Sequence, residues 1–464
     1  MTRVDVLVVG AGPAGAIAAL VLSREGARVA LVDKFDFPRD KACGDLVGPR
    51  GLALLDDLGI GLPGGVDVGD MLVVGPTGRP VRLPAAEGLT YPGHGTVVAR
   101  TVLDALVREA ALAAGAQPGV GRAETPLWDE GGRLAGFVLS SGEQIRADVV
   151  IGADGATSAV GTAAALVDPS RALFGFAVRA YTDQPVDLPV IALFEPTPWR
   201  AFPGYGWIFP GPGGRANVGL GVATGADRRG GGAAVRMLPA FLDHLGRLGY
   251  LTGPPPSGRT LGGWLKMGIV GTRPASGRVL LVGDAAGLVN PLQGEGIAQA
   301  MTSGRQAAEA VLADPGDPGP AYRAALRAAH LPYHQLAAAT HSALVGHPVA
   351  VSAVGRLVSA PGVRRAVAGG WAVFWNELLE GAPPGPDRTV AATVTALGRR
   401  LTARSAAARR LVEDLAPAPG ASEAGERPAG QRLHLGQGDR GRDQQLGPAL
   451  QDDDGAVEIA AAPE

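Results

Sequence analysis

Residues 10–15 read Gly10-Ala11-Gly12-Pro13-Ala14-Gly15, a G-x-G-x-x-G run. Before it stands a short apolar stretch, VDVLVV (4–9). After it, residues 13–23 carry apolar side chains at helical spacing, and RVALVD (28–33) is a second apolar run that ends in an acid. Strand, tight turn, helix and strand in that order describe a βαβ unit. Each glycine has its own role at this spacing. Gly10 allows the turn, Gly12 lets the backbone approach a pyrophosphate, and Gly15 lets helix pack on strand. The helix N-terminus, opening on Pro13 and Ala14, offers unpaired N–H groups to phosphate. Asp33 would accept the hydrogen bonds of a ribose. Residues 6–22 carry no charge and on hydropathy alone resemble a signal or membrane helix. A helix through Gly-Pro-Ala-Gly would lose stability and a backbone donor, so neither a cleavable signal nor a spanning segment is expected.

A dinucleotide motif alone does not select the cofactor, but two later stretches do. ADVVIGADGATS (147–158) is a strand that ends in Asp154-Gly155, and RVLLVGDAAGL (278–288) is a strand that ends in Gly283-Asp284. Acids at the carboxyl ends of strands lie at the ligand crevice of an open α/β sheet. A carboxylate there suits the hydroxyls of a ribityl chain, which FAD has and nicotinamide cofactors lack.

The rest of the chain organises around this unit. Residues 101–114 read as an amphipathic helix, and residues 127–147 as strands broken by Gly-Gly and Ser-Gly turns. Between 172 and 266 the style changes to runs such as FGFAVRAY, VIALFE, GYGWIFP and ANVGLGVA, the pattern of an antiparallel sheet, with one helix near 234–248. Helices dominate from 295 to about 413, and after 416 apolar periodicity stops. The fold class expected is α/β. A discontinuous Rossmann-like FAD domain (1–170 and 267–315) is interrupted by an inserted antiparallel-sheet substrate domain (171–266). C-terminal helices (316–415) and a disordered tail (416–464) follow.

With 464 residues, 46% of them hydrophobic and a net charge of −2, the chain can bury two cores and shows no nucleic-acid footprint. One cysteine, Cys43, permits no internal disulfide and fits a reducing, cytoplasmic compartment. His330, His334 and His341 invite a metal reading, but Pro332 is expected to break the helical register between the first two, so no metal site is expected. Arg399, Arg400, Arg404, Arg409 and Arg410 cluster on a late helix, as a membrane-surface face or a solvated charged face.

These motifs together resemble the FAD-dependent oxidoreductases of the aromatic-hydroxylase-like superfamily. Within it, Lys41-Ala42-Cys43-Gly44 resembles the K-x-C-G signature of the geranylgeranyl reductase family. Tyr205-Gly206-Trp207-Ile208-Phe209-Pro210 resembles its Y-x-W-x-F-P, and Asn217-Val218-Gly219-Leu220-Gly221 also fits. The likeness spans about residues 1–370 and is nearest to menaquinone side-chain reductase-like members.

The resemblance implies FAD as cofactor, with Asp33 at the adenosine ribose and Lys34 among the cofactor-binding residues. It puts Arg100 near the ribityl and pyrophosphate, Asp284 with Gly283 on the ribityl chain, and Asp154 in a supporting role. Gly294, Gly296 and Ile297 would pass the isoalloxazine, with Lys41, Cys43 and Gly44 close by. It implies that Cys43, Tyr205 and Trp207 take part in catalysis and that Tyr205, Trp207 and Phe209 wall an apolar tunnel. On period two alone these rings are equally an ordinary sheet core. Cys43 alone is equally a buried apolar residue.

The function implied is reduction of C=C bonds in an isoprenoid chain, a geranylgeranyl lipid or a menaquinone side chain. NAD(P)H or a protein donor would supply the electrons, and such a substrate implies peripheral membrane contact on the inner face. Oligomeric state is not indicated. An FAD monooxygenase acting on an aromatic or polyketide-like substrate shares every FAD motif. A flavin halogenase lacks its W-x-W-x-I-P here, and a non-catalytic prenyl-binding protein would not need three intact FAD motifs.

Overall fold

The computed structural model describes residues 1–402, apart from 76–77, 79, 86–87, 193–203, 225–230, 254–255, 257, 345–368, 371 and 374–376, together with 457–459. The βαβ unit is present: β1 (Thr2–Val9), α1 (Pro13–Arg24) and β2 (Val29–Asp33). All five residues of β2 are buried, as a strand covered on both faces requires. Gly10 has φ +102°, and a Cβ there would lie 2.2 Å from the Ala153 carbonyl oxygen; at Gly15 it would lie 1.9 Å from the Gly10 oxygen. The first and third glycines are therefore dictated by backbone contact.

The first sheet runs β17-β18-β11-β1-β2-β8, with β10 and β9 attached at β11. Its members are β8 (Gln117–Val120), β9 (Ala123–Trp128), β10 (Leu134–Leu139), β11 (Gln144–Gly152), β17 (Ala275–Ser276) and β18 (Val279–Leu281). The hairpins expected over 127–147 are present, but β11 is one nine-residue strand. Its start pairs antiparallel with β10, and its length pairs parallel with β1. α3 (Arg100–Ala113) and α6 (Ile297–Ala313) pack on α1. The approach of α6 is close enough that a Cβ at Gly304 would meet the Ala14 oxygen at 2.1 Å. Two short helices, α2 (Pro49–Asp57) and α4 (Ala159–Ala163), complete this layer.

The second sheet runs β19-β16-β12-β15-β14-β13-β5-β6. Four of its strands come from the expected runs: β12 (Leu173–Thr182), β13 (Val190–Ala192), β14 (Gly204–Pro210) and β15 (Ala216–Thr224), with β16 (Thr260–Met267) beside them. β5 (Met71–Val74) and β6 (Pro80–Leu83) join through a parallel β13·β5 pairing, so residues 171–266 do not build this layer alone. A three-stranded sheet of β3 (Leu46–Val47), β7 (Gly95–Val97) and β4 (Val66–Val68) flanks β5 and β6 in sequence. One face of the second sheet is covered by α5 (Gly231–Arg247), whose Phe241 fills the space that a Cβ on Gly206 would need.

Two expectations are corrected. Helix α7 (Gly319–Leu344) continues through Pro332. A proline costs an interior helix about 3 kcal/mol; burial of Tyr322, Leu326, Leu336 and Ala337 along the same helix offsets it. Within the tail expected to be disordered, β19 (Val457–Ile459) pairs antiparallel with β16, because Val457 and Ile459 give the segment strand character at an otherwise open sheet edge. The remainder, 403–456 and 460–464, lies outside the described residues, as do Arg404, Arg409 and Arg410. α8 (Pro386–Thr402) packs on α7. Among the described residues no helix is long and apolar enough to cross a membrane.

Candidate active site

The dinucleotide end is preorganised. Asp33 stands at the C-terminus of β2; its Oδ2 accepts from Ala11 N–H (2.8 Å) and its Oδ1 from Phe35 N–H (3.0 Å), while Lys34 stacks over the Phe35 ring. Gly12 caps α1 without a side-chain hydrogen bond, which leaves the first-turn N–H groups facing outward for an anion. Asp154 is spent within the protein: Ser158 Oγ donates to it (2.6 Å) and so does Val160 N–H (3.0 Å). Burial pushes its carboxyl up, against those two donors.

Arg100 is buried against Asp104, with bonds of 2.7 and 2.8 Å from Nε and Nη2. The guanidinium nearest the second glycine is Arg39, which lies in the Pro38-Arg39-Asp40-Lys41 run but to which the sequence assigns no role. Its Nη1 is 3.0 Å from Asp104 Oδ2, and a Cβ on Gly12 would lie 3.2 Å from its Nη2. No local spacing rule links position 39 to position 12; only the folded turn does. Asp284 sits in the turn after β18, 3.5 Å from Lys41 Nζ and beside Gly296. Gly283 N–H donates to Ser303 Oγ (3.0 Å), which fixes that turn on α6. Positive φ at Gly10, an uncapped α1 and carboxylates at the ends of β2 and β18 fit an FAD laid across the strand ends.

The two family-like motifs meet. A Cβ on Gly44 would lie 3.1 Å from Phe209 Cε2 and 3.5 Å from Trp207 Nε1, so the loop carrying Cys43 rests on the rings of β14. Tyr205, Trp207 and Phe209 share one face, with centroid spacings of 6.2 and 6.3 Å. They pack into a buried cluster with Val73, Leu83, Val97 and Ile191. Trp207 has room only because position 219 opposite it is glycine; a Cβ there would be 2.4 Å from Cζ2.

Asn217, buried on β15, ties the motifs together. Its Oδ1 accepts from Trp207 Nε1 (2.8 Å), and its Nδ2 donates to the Cys43 carbonyl and to Asp45 Oδ2 (2.8 Å each). Tyr181 OH donates to the same Asp45 oxygen (2.5 Å). Arg179 stacks on Tyr181 and pairs with Asp40. Tyr205 OH donates to the Gln293 carbonyl, which joins β14 to the 290–296 loop. Burial pushes the Cys43 thiol up, with Arg100 opposing, and Asp45 N–H donates to Sγ (3.3 Å).

At the start of α6, Glu295 Oε1 accepts from Ala298 N–H (2.9 Å), so the positive helix end at Ile297 is partly answered by a side chain. Nearby, Glu377 is pushed up to about 7 by burial and by Glu295. His330 and His334 are both buried on α7 beside it. The side chain of His341 lies outside the described residues.

An FAD binding domain family matches residues 3–172. The menaquinone reductase of Mycolicibacterium smegmatis is 37% identical over 317 residues, covering 66% of this chain and 76% of that protein. Digeranylgeranylglycerophospholipid reductase 2 of Methanopyrus kandleri is 34% identical over 312 residues, covering 66% and 76%. Among solved structures, a geranylgeranyl bacteriochlorophyll reductase-like protein from Thermoplasma acidophilum superposes with a TM-score of 0.63 at 21% identity, covering 90% of this chain and all of that one. A flavin-dependent brominase superposes at 0.60 with 18% identity, covering 86% and 100%. At those identities the two structures report the fold alone. The glycine turn, the paired strand-end acids and the K-A-C-G and Y-G-W-I-F-P motifs, together with these relatives, show that the chain belongs to the geranylgeranyl reductase family of FAD-dependent oxidoreductases.

Proposed function

We propose that the protein saturates C=C bonds in an isoprenoid chain, a menaquinone side chain or a geranylgeranyl lipid. The observation that carries the reading is the contact of the Cys43–Gly44 loop with the rings of β14: Gly44 lies against Phe209 and Trp207, and Asn217 ties the Cys43 carbonyl to the Trp207 indole. We assign FAD to the crevice bounded by Gly10, Gly12, Pro13, Ala14, Gly15, Asp33, Lys34, Lys41, Gly44, Asp284 and Gly283, with Arg39 and the α1 N-terminus toward its phosphates. Arg100 and Asp154 support that crevice from behind through Asp104 and Ser158. Gly294, Gly296 and Ile297 are assigned to the isoalloxazine side.

Bound and reduced, FAD supplies a hydride to one alkene carbon; the electrons come from NAD(P)H or a protein donor. The chain's own residues do the rest. Trp207 and Tyr205 hold the alkene and offer ring faces to positive charge that develops on the second carbon. Cys43, kept protonated by burial, is the proton donor to that carbon. The thiolate left behind is stabilised by Asp45 N–H and by Arg100 and is reprotonated from water. One hydride and one proton add per bond. A long isoprenoid substrate implies that the protein works at a membrane surface.

The test is anaerobic. Protein with FAD reduced by dithionite is mixed with menaquinone or a geranylgeranyl lipid, and the product is weighed by mass spectrometry. A gain of two hydrogens without oxygen is expected. Inertness until air is admitted, followed by a gain of oxygen, would replace the reading with a monooxygenase.

A further inference from the structure

His330 and His334 lie one turn apart on α7, where i,i+4 residues share a face. Because the helix continues through Pro332, their rings come together, with centroids 5.5 Å apart. Glu377 completes a buried group in which one ligand atom from each residue lies within 4.8 Å of the others. All four ring nitrogens are buried without a hydrogen-bond partner among the described residues. Natural cores rarely leave such atoms unanswered.

We propose that His330, His334 and Glu377 bind a divalent metal ion of the zinc class, which clamps helix α7 to the 290–296 loop beside the cofactor crevice.

Two neutral imidazoles and a carboxylate are a borderline-soft N/N/O donor set, suited to zinc and its first-row neighbours and poor for calcium or magnesium. Burial, with Arg50 nearby, holds both imidazoles in the neutral form that coordinates metals. A tetrahedral ion keeps its ligand atoms about 3.3 Å apart, so modest side-chain rotations close the observed spacing. Charge also favours a cation: among the described residues Glu295 and Glu377 share this region with one guanidinium, Arg50, whose Nη1 is 3.7 Å from Glu377 Oε2.

An outer shell is already in place. Asn290 Nδ2 donates to Glu377 Oε1, while Asn290 Oδ1 accepts from Leu292 and Gln293 N–H (2.9 and 3.1 Å). Each carboxylate oxygen has two acceptor directions, so these contacts leave a lone pair for the ion. Glu377 itself holds φ +54°, an uncommon backbone for a glutamate. With three protein ligands, water fills the fourth position. The clamp runs from α7 through Glu377 and Asn290 to Gln293, whose carbonyl accepts from Tyr205 OH.

The proposal stands apart from the substrate assignment and is tested without turnover. The full flavoprotein, purified without a histidine tag, is analysed by mass spectrometry for metals, stripped with a chelator, and titrated with Zn(II) and Co(II). Roughly one ion per chain is expected, with restored thermal stability on Zn(II) addition and a visible Co(II) spectrum of a nitrogen-ligated site. His334→Ala and Glu377→Gln should each lose the ion, His94→Ala should keep it, and Asn290→Ala should weaken binding about 10- to 100-fold. If His334→Ala fails to fold, the wild-type titration decides. Absence of both resident ion and saturable Zn(II) binding overturns the proposal. So does binding that survives in the His330→Ala/His334→Ala double variant.

Discussion

Asn217→Ala tests whether the Cys43 loop and the aromatic strand form one unit. The side chain is buried and makes three hydrogen bonds, to Trp207 Nε1, the Cys43 carbonyl and Asp45. Truncation leaves the indole N–H and the carbonyl without partners, at about 1–3 kcal/mol each; Asp45 Oδ2 keeps Tyr181. The total is about 2–6 kcal/mol. Unfolding entropy for a chain of this length is roughly 0.8–1 kcal/mol per degree, so Tm should fall by about 2–8 °C. The glycine turn and Asp33 are untouched, so the folded variant should retain FAD while the Trp207 emission changes. Melts followed by flavin release and by tryptophan fluorescence measure both. Asn217→Asp sharpens the test. It keeps the acceptor for Trp207 but sets a second carboxylate against Asp45, so its penalty should grow as pH rises and the pair loses its shared proton. A Tm drop below about 1 °C for the alanine variant, or a pH-independent penalty for the aspartate variant, refutes the reasoning.

Three further outcomes are expected. Gly219→Ala would place a Cβ 2.4 Å from both Trp207 Cζ2 and the Val178 oxygen; overpacking against backbone should cost about 1–3 kcal/mol or more and depress turnover with FAD content unchanged, and a native Tm would contradict the packing argument. Arg39→Ala removes a guanidinium from beside Gly12 and should raise the FAD Kd about 10- to 100-fold, the worth of one charged hydrogen bond, in a fluorescence titration; an unchanged Kd rules out a phosphate role. Asp45 is buried and its pKa is raised, chiefly by burial. The folded state therefore holds its proton more tightly than the unfolded one, and the stability this gives is full below about pH 4 and lost as pH rises through the folded value. Asn suits both the acceptor role and the left-handed φ of +64° at this position, so the Tm of Asp45→Asn relative to wild type should climb with pH above about 4; a constant offset would mean that Asp45 is ionised throughout.

What is legible in the sequence follows the range of each interaction. The glycine turn is local backbone chemistry, and its strand–helix–strand context is readable over about thirty residues. The shared face of Tyr205, Trp207 and Phe209 follows from the two-residue period of a strand. What those rings face does not follow: β5 and β6 enter the sheet through a parallel pairing between residues about 120 apart (Leu72 with Val190), and no periodicity announces such a partner. The role of Arg39 is not legible because its neighbour, Gly12, is defined only by the folded loop. Pro332 misleads in the opposite way: local propensity argues for a break, and burial of the rest of α7 overrides it. Local propensity therefore separates two histidines that the continuous helix brings together.

The cofactor crevice and the aromatic strand are joined by residues 39–45, whose side chains and backbone alternate in allegiance. Arg39 reaches Asp104 and Gly12, and Lys41 reaches Asp284, on the dinucleotide side. Asp40 is held by Arg179, the Cys43 carbonyl by Asn217, and Asp45 by Tyr181 and Asn217, on the second sheet. A segment pinned from both sides every one or two residues has little freedom, and that suits the precise placement of the single thiol it carries. The arrangement also separates the consequences of damage. Loss of Arg39 should act on FAD affinity, and loss of Asn217 or Asp45 on the wall and the loop. Loss of Cys43 should slow the proton step, so Cys43→Ala should keep the FAD affinity of wild type while its reductive turnover falls, with a Tm lowered only by the Asp45 N–H that loses its sulfur acceptor. If Cys43→Ala instead released FAD, the cysteine would be a packing residue of the crevice and the proton would have to come from elsewhere.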